Sequence, residues 1–498
     1  MKKILFIILI GALSLNGCSD AFFDINKSPN NATEDNMTPS LILPRALHRF
    51  ADKSATGYRI YLHWMGYWAR CAGGYGPNTD EESYQLTSSF MTASWSDMYD
   101  ILKDFDVIEK KALERNETGY LAIAKIMKSI GFMQLVDQYN NVPYSKAFNL
   151  SEYMLTPYDK GQDVYNALIA DLEEADVLLQ EALEENNLDI KTADILFGGD
   201  FAKWRKLGNT QRLRLLIHQT GLLSNAELKT EVDKIVANGG GFLGAGETAN
   251  VQPGYASDVN KQNPFWNTYN TNDAGGLDNF NRANNYFLNL LKDNGDIRYT
   301  RFFAKATAPV GGVEYAGFDF GIESQAGQLT STQSSMVSGP GIISGASDPL
   351  WLFTSFESLF LQAEAIQRGA LAGNARNVYE AAVKESFNWL GVPDGAEDYL
   401  TNTEKTFANW DENSDKLLLI ARQKYIAMYG INGLETYTDY RRTGFPDTED
   451  ILSVRAGVTN SIPKRLIYPV EEYQYNAANA TAEGTIDPQK ATVFWDAN

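Results

Sequence analysis

Hydrophobic and polar positions recur with a helical period along much of this chain. In residues 93–114, ASWSDMYDILKDFDVIEKKALE, the side chains of Trp95, Met98, Tyr99, Leu102, Phe105 and Ile108 return at three- and four-residue spacing. Asp97, Asp100, Lys103, Glu109 and Lys110 fall on another face, so the pattern predicts an amphipathic helix. Residues 119–139 and 162–185 repeat it. Residues 355–371 and 374–392 predict a helix pair broken at Gly373 and Asn374, with small alanines where the two would cross. Pairs with Ala-x-x-x-aromatic spacing match tetratricopeptide-like units of irregular length. The expected fold class is therefore mainly α, with tetratricopeptide-like helical pairs as scaffold.

Two regions depart from this period. Residues 239–348 are dense in Gly, Asn, Ser and aromatics and hold few helix-sized repeats. Within them RFFAKAT and GVEYAGFDFGI predict short β segments. No low-complexity linker flanks the region, which predicts a loop-rich, ligand-facing insertion in a single domain spanning 41–498. At the N-terminus, Lys2 and Lys3 precede an apolar run over residues 4–15, too short to span a bilayer and suited to a signal-peptide core. Leu15-Asn16-Gly17-Cys18 places a small residue directly before a cysteine, the pattern of a bacterial lipobox. Residues 1–17 are then a lipoprotein signal peptide and Cys18 the lipidated N-terminus. Residues 18–40, rich in Asn, Ser, Thr and Pro, form the expected flexible tether. Several acyl chains give stable anchoring without a membrane-spanning helix.

Charge narrows the partners. The 498-residue chain has a formal net charge of −20, and loss of Lys2 and Lys3 with the leader takes it to −22. An acidic surface disfavours nucleic acid and leaves neutral or cationic ligands open. Once Cys18 carries lipid, Cys71 has no cysteine left to pair with, so stability must come from the core.

Catalytic and metal motifs fail on context. Gly239, Gly241 and Gly244 satisfy G-x-G-x-x-G but follow a helical pattern, which predicts a helix C-terminal turn and not a nucleotide loop. Asp411, Asn413 and Asp415 open like a calcium loop, yet Lys416 takes the glycine position and no Glu closes it. His48, His63 and His218 are scattered, so no metal site or other cofactor is expected. A surface glycoside hydrolase stays open, because two carboxylates need only be near in space and 63 acidic residues supply many pairs.

The C-terminal third carries a sharper signal. LFLQAEAIQRG, IARQKYIAMYGINGLETYTDYRRTGFP and IPKRLIYPVEEYQYN occur in this order and resemble the signature stretches of the SusD/RagB family of Bacteroidetes outer-membrane lipoproteins. The matching residues are Glu364, Arg422, Tyr425, Gly433, Asp439, Arg441, Arg442, Gly444, Pro446, Pro463, Arg465, Tyr468, Pro469, Glu472 and Asn476; Trp95, Tyr99 and the lipobox extend the resemblance to nearly the whole chain. Lys424-Tyr425-Ile426 replaces the commoner Glu-Leu element, which marks a divergent branch. Asp439 beside Arg441 and Arg442, before Gly444 and Pro446, predicts a helix end with paired charges and a sharp turn.

The resemblance implies a surface-exposed lipoprotein, not an enzyme, that binds oligosaccharide and passes it to a SusC-like TonB-dependent transporter. The RagB side of the family leaves peptide as an alternative ligand. Sugar recognition needs flat aromatic faces for ring C–H groups and amide, carboxylate or guanidinium groups for hydroxyls. Two stretches supply both. The loop after the first helix, which the resemblance associates with ligand, offers Trp68, Arg70, Tyr75, Asn78 and Asp80. The aperiodic stretch NKQNPFWNTYNTNDAGGLDNFNR offers Asn263, Trp266, Asn267, Tyr269, Asp278 and Arg282.

Overall fold

The structure is a computed structural model that describes residues 37–183, 188–455, 457, 459 and 461–497. The signal peptide, Cys18 and the tether up to residue 36 lie outside the described residues. Among the described residues the helices longer than ten residues are α1 (Pro39–Thr56), α2 (Thr92–Arg115), α3 (Thr118–Tyr139), α4 (Gly161–Ala182), α5 (Phe201–His218), α6 (Asn225–Ala237), α7 (Ser355–Gln367), α8 (Ala375–Trp389), α9 (Lys416–Ala427) and α10 (Gly433–Thr443). The fold is mainly helical, and α1 begins inside the range expected for the tether.

Neighbours in sequence pack as pairs: α2 on α3, α3 on α4, α4 on α5, and α7 on α8, with α9 laid against α7. The turn from α2 to α3 is only Asn116 and Glu117, and Asn116 takes the left-handed conformation (φ 55°). Asn tolerates that conformation better than most side chains. The predicted face of α2 is its buried face: Trp95, Met98, Leu102, Phe105 and Ile108 are buried, with Tyr99 half-buried. Gly131 lies where α3 crosses α2; a Cβ there would stand 2.7 Å from Leu102 Cδ2 and 3.0 Å from Met98 Sδ. α6 begins with a capping box, Ser224 accepting from the Glu227 amide and Glu227 accepting from Ser224.

Helix α5 is buried from Leu207 to His218 although it carries Arg212, Arg214 and His218. Its charges enter a seam shared by several helices. Arg214 pairs with Glu357 of α7 and lies 3.5 Å from Glu435 of α10. Lys424 of α9 bridges Glu435 (2.7 Å) and Asp439 (2.8 Å), and Arg442 bridges Asp439 (2.9 Å) and Glu364 (2.6 Å). His218 lies 3.2 Å from Glu435 and 3.4 Å from Asp137 of α3. Burial pushes the His218 imidazole down, but the two carboxylates overcome it and hold the group up at about 9. Burial likewise pushes the Glu364 carboxyl up, and Arg442 with Arg368 outweighs it, holding the group at about 2. The helix end predicted at Asp439–Arg442 is present, closed by Gly444 in the left-handed region (φ 76°).

Between α6 and α7 the described elements are short. Strand β1 (Trp68–Arg70) pairs antiparallel with β3 (Asn281–Ala283), and β2 (Ala249–Val251) pairs antiparallel with β4 (Leu350–Phe353). RFFAKAT and GVEYAGFDFGI do not form the β segments predicted for them. The first starts inside the short helix Tyr299–Phe302, and the second is turns with one isolated bridge, Asn284 to Phe318. Their apolar residues face inward as single anchors: Phe302, Phe303, Phe318 and Phe320 are buried. Gly239 and Gly241 have φ of 74° and 72° just after α6, as the helix-end turn requires. Asp415 caps α9 by accepting from the Leu418 amide at 3.0 Å.

Candidate ligand face

The β1–β3 pairing brings together the two stretches that sequence singled out. Trp68 lies opposite Ala283, Ala69 opposite Arg282, and Arg70 opposite Asn281. Cys71 N–H then donates to the Phe280 carbonyl at 2.8 Å, so the loops beyond each strand leave the ladder side by side. Gly73 is needed where they cross residues 328–329, because a Cβ there would lie 2.1 Å from the Leu329 carbonyl oxygen.

Beneath this surface lies a layer of buried charge. Arg70, 2% exposed, donates to Glu82 Oε1 (2.7 Å), the Tyr75 carbonyl (2.5 Å), Ser324 Oγ (3.1 Å) and the Ile322 carbonyl (2.6 Å). It thereby staples the loop after β1 to the loop at 322–324. Glu81 accepts from Arg59 (2.8 Å) and Asn78 Nδ2 (2.9 Å) and pairs with His63. Burial pushes its carboxyl up, and His63 with Arg59 overcomes this to hold it at about 2. His63 Nε2 meets Asn281 Oδ1 at 3.0 Å, and Asn281 Nδ2 donates to Asp278 Oδ2 at 2.9 Å, which links the layer to the second stretch.

Above this layer aromatic rings reach the surface. Tyr75 is 39% exposed, and its ring stands edge-on to Phe280 with centroids 5.2 Å apart. Phe280 stacks on the His63 ring at 6.3 Å and 9°, with the Arg59 guanidinium 5.2 Å from its centroid. Asp80 is exposed and Asn78 half-buried beside them. The ring pair is thus backed by groups that are themselves fixed, the kind of preorganised edge that costs little ordering on binding.

The structure separates the eleven candidates by depth. Trp68 is fully buried, its ring 4.9 Å from that of Tyr269, whose hydroxyl donates to the Thr56 carbonyl at 2.9 Å. Asn263, also fully buried, caps the helix Pro264–Tyr269 by accepting from the Phe265 (2.8 Å) and Trp266 (3.1 Å) amides. Asp278 accepts from the Phe280 and Asn281 amides, and buried Arg282 donates to the carbonyls of Asp278, Asn281 and Ser331. Trp68, Arg70, Asn263, Tyr269, Asp278 and Arg282 thus make hydrogen bonds or ring contacts inside the fold. Tyr75, Asp80, Trp266 and Asn267, with Asn78 at the edge, reach accessible surface. Trp266 opens on a pocket of about 550 Å3 that also presents Asn270, Arg301, Lys305 and Tyr315. Phe280 went unmarked in the sequence, although its place between Asn279 and Asn281 in an aperiodic run was the available signal; Arg301, Lys305 and Tyr315 carried none.

A helical-pair scaffold thus holds a loop face of fixed aromatics. The chain belongs to the SusD/RagB family: residues 29–469 match the SusD-like family model described as starch-binding, associating with the outer membrane. No curated protein sequence matches the chain. Solved structures repeat the fold. A SusD homologue from Bacteroides fragilis superposes with a TM-score of 0.75 at 21% identity, covering 92% of this chain and 99% of that one. A chitin-binding SusD homologue from Flavobacterium johnsoniae gives 0.75 at 23% identity, covering 92% and 99%. A SusD/RagB family protein from Bacteroides thetaiotaomicron gives 0.73 at 20%, covering 93% and 99%. At these identities the likeness shows the fold; ligand chemistry rests on this chain's own residues.

Proposed function

We propose that this protein is a cell-surface lipoprotein, anchored through Cys18, that captures oligosaccharide at the Tyr75–Phe280 face and delivers it to a SusC-like TonB-dependent transporter without acting on it chemically. The observation that carries this is the exposed Tyr75 ring, set edge-on to half-buried Phe280 over the Arg59, His63 and Glu81 layer. Such rings offer C–H contact to a pyranose, and the neighbouring Asn78 and Asp80 offer polar atoms to its hydroxyls. The starch-binding description of the family and the chitin-binding relative support a glycan over a peptide.

Isothermal titration of the protein from Ser19 onward, against malto-oligosaccharides, N-acetylated chito-oligosaccharides, acidic oligosaccharides and mixed peptides, tests this directly. Saturable heat with one glycan class, reduced about tenfold or more in affinity by Tyr75→Ala, is the expected result. Heat with peptides alone would replace the glycan reading by the peptide one. Release of reducing ends during incubation would replace it by hydrolysis.

A further inference from the structure

The pocket beside Trp266 has a sign opposite to that of the chain. Around its volume of about 550 Å3 stand two cations, Arg301 and Lys305, and, among the described residues, no carboxylate. Arg301 has no carboxylate partner among the described residues: its Nε donates to the Leu390 carbonyl at 2.8 Å and its Nη2 to the Pro340 carbonyl at 3.4 Å. Both acceptors are neutral, so the guanidinium keeps its charge for a further partner. Lys305 pairs at 2.8 Å with Glu314, which lies outside the lining, and both side chains are more than half exposed. An exposed pair of this kind is weak and can be shared with an arriving oxyanion.

The hydroxyls of the wall are already engaged. Thr300, Ser338 and Ser344 donate to the Ile297 carbonyl, the Tyr269 carbonyl and the Asp348 carboxylate. Asp348 is held in turn by the Ser344 and Gly345 amides, at 2.7 and 2.9 Å. Two half-buried rings, Trp266 and Tyr315, complete the lining. Tyr315 is fixed by an edge contact with Tyr299, centroids 5.1 Å apart, and by Lys292 Nζ donating to its carbonyl at 3.0 Å. Asn270 ties the pocket to the face already described. Its carbonyl accepts from the Asp278 amide at 2.9 Å, and the Asp278 carboxylate accepts from the Phe280 amide at 2.9 Å, so the two surfaces flank one hairpin.

We propose that this pocket is an anionic-sugar subsite, taking a ring whose carboxylate or sulfate lies between Arg301 and Lys305 while its C–H groups meet Trp266 and Tyr315. Two cations beside aromatic rings supply charge and apolar contact together, against the repulsion of a chain whose formal net charge is −20. The inference rests on the glycan reading above and narrows its ligand to an acidic glycan, uronic or sulfated.

The test is titration of the protein from Ser19 onward with oligogalacturonides, glucuronate-bearing xylo-oligosaccharides and sulfated galacto-oligosaccharides, each beside its carboxyl-reduced or desulfated counterpart. At least one acid form should bind about tenfold or more tightly than its neutral counterpart. Lys305→Gln should lower the affinity of that acid form about fivefold, and Glu314→Gln, which frees Lys305, should raise it about threefold. Affinity for the neutral counterpart and the thermal midpoint should stay unmoved in both, because the two side chains are exposed. Asp233→Asn makes the same change of net charge on α6, at another exposed ion pair, and should do nothing. Binding of malto-, chito- or any of these oligosaccharides with no acid form preferred would overturn the subsite and leave glycan capture standing. An acid preference that Lys305→Gln does not reduce, or that Asp233→Asn raises as much as Glu314→Gln does, would put anion recognition elsewhere and overturn it too. If the protein binds no glycan in either form, the functional reading falls and this inference with it.

Discussion

Two buried charge layers in this molecule look alike in composition and differ in purpose. In the helical seam, Arg442, Lys424 and Arg214 meet Glu364, Asp439, Glu435 and Glu357, so that charges on regular elements close on one another. Under the proposed ligand face, Arg70 makes two bonds to Glu82, two to main-chain carbonyls and one to Ser324, so that a charge on a strand holds irregular loops. Several residues that identify the family, Glu364, Asp439 and Arg442 among them, lie in the first layer. The proposed ligand surface is set by the second. Family membership therefore specifies a scaffold, while a handful of loop tips decide what it holds.

The comparison breaks most visibly if the seam is opened. Glu364→Ala leaves Arg442 buried with one of its two carboxylates gone, and should cost about 3–5 kcal/mol of stability in urea unfolding. Glycan affinity of the protein that stays folded should not change, since no seam residue reaches the ligand face. Acid makes the same point without mutation. The Glu364 carboxyl lies below its ordinary 4.5, at about 2, so its contribution is full above pH 4.5 and is lost as pH falls toward 2. His218 lies above its ordinary 6.5, at about 9, so its contribution is full below pH 6.5 and is lost as pH rises through 9. Stability measured against pH should fall at both ends, and Glu364→Gln should flatten the acid limb.

A smaller effect on stability and a larger one on binding are expected from the second layer. Arg70→Met removes a buried staple, but Arg455 remains 3.6 Å from Glu82 and offsets part of the loss. A cost of about 2–3 kcal/mol is expected, with glycan affinity down about tenfold because the Tyr75 loop must be ordered on binding. If affinity held while stability fell, the layer would be a second seam and nothing more.

How much of this was visible in the chain follows the same division. Helix α2 was legible because its apolar positions keep the helical period and its partners are neighbours in sequence. Helix α5 was not: Arg-Leu-Arg-Leu-Leu reads as a solvated face, and the carboxylates that balance Arg214 inside, Glu357 and Glu435, lie far along the chain. At the site, lack of periodicity correctly marked the stretch around Tyr75 as irregular, whereas it hid the six-residue helix Pro264–Tyr269 that carries Trp266. It could not tell inward from outward, because a three-residue strand such as β1, buried at every position, has no alternation to read. Trp68 and Tyr269 therefore carried the same signal as Tyr75. Arg70 looked like a ligand group because its acceptors at Ile322 and Ser324 lie some 250 residues away.

The finest division is within one side chain. Tyr75 offers a ring edge-on to Phe280 and a hydroxyl, and the two can be parted by Tyr75→Phe. Stability should stay within about 0.5 kcal/mol, because the ring pair is kept and the site is exposed. If ring C–H contact carries recognition, affinity should stay within about threefold of wild type while Tyr75→Ala loses about tenfold. Should the phenylalanine variant lose as much as the alanine one, the hydroxyl would be the recognising group. The face would then work by hydrogen bonding, as the charge layers do inside the fold, and the contrast between a polar interior and an aromatic binding edge would have to be redrawn with the Arg70 loop carbonyls and Asp80 as the principal contacts.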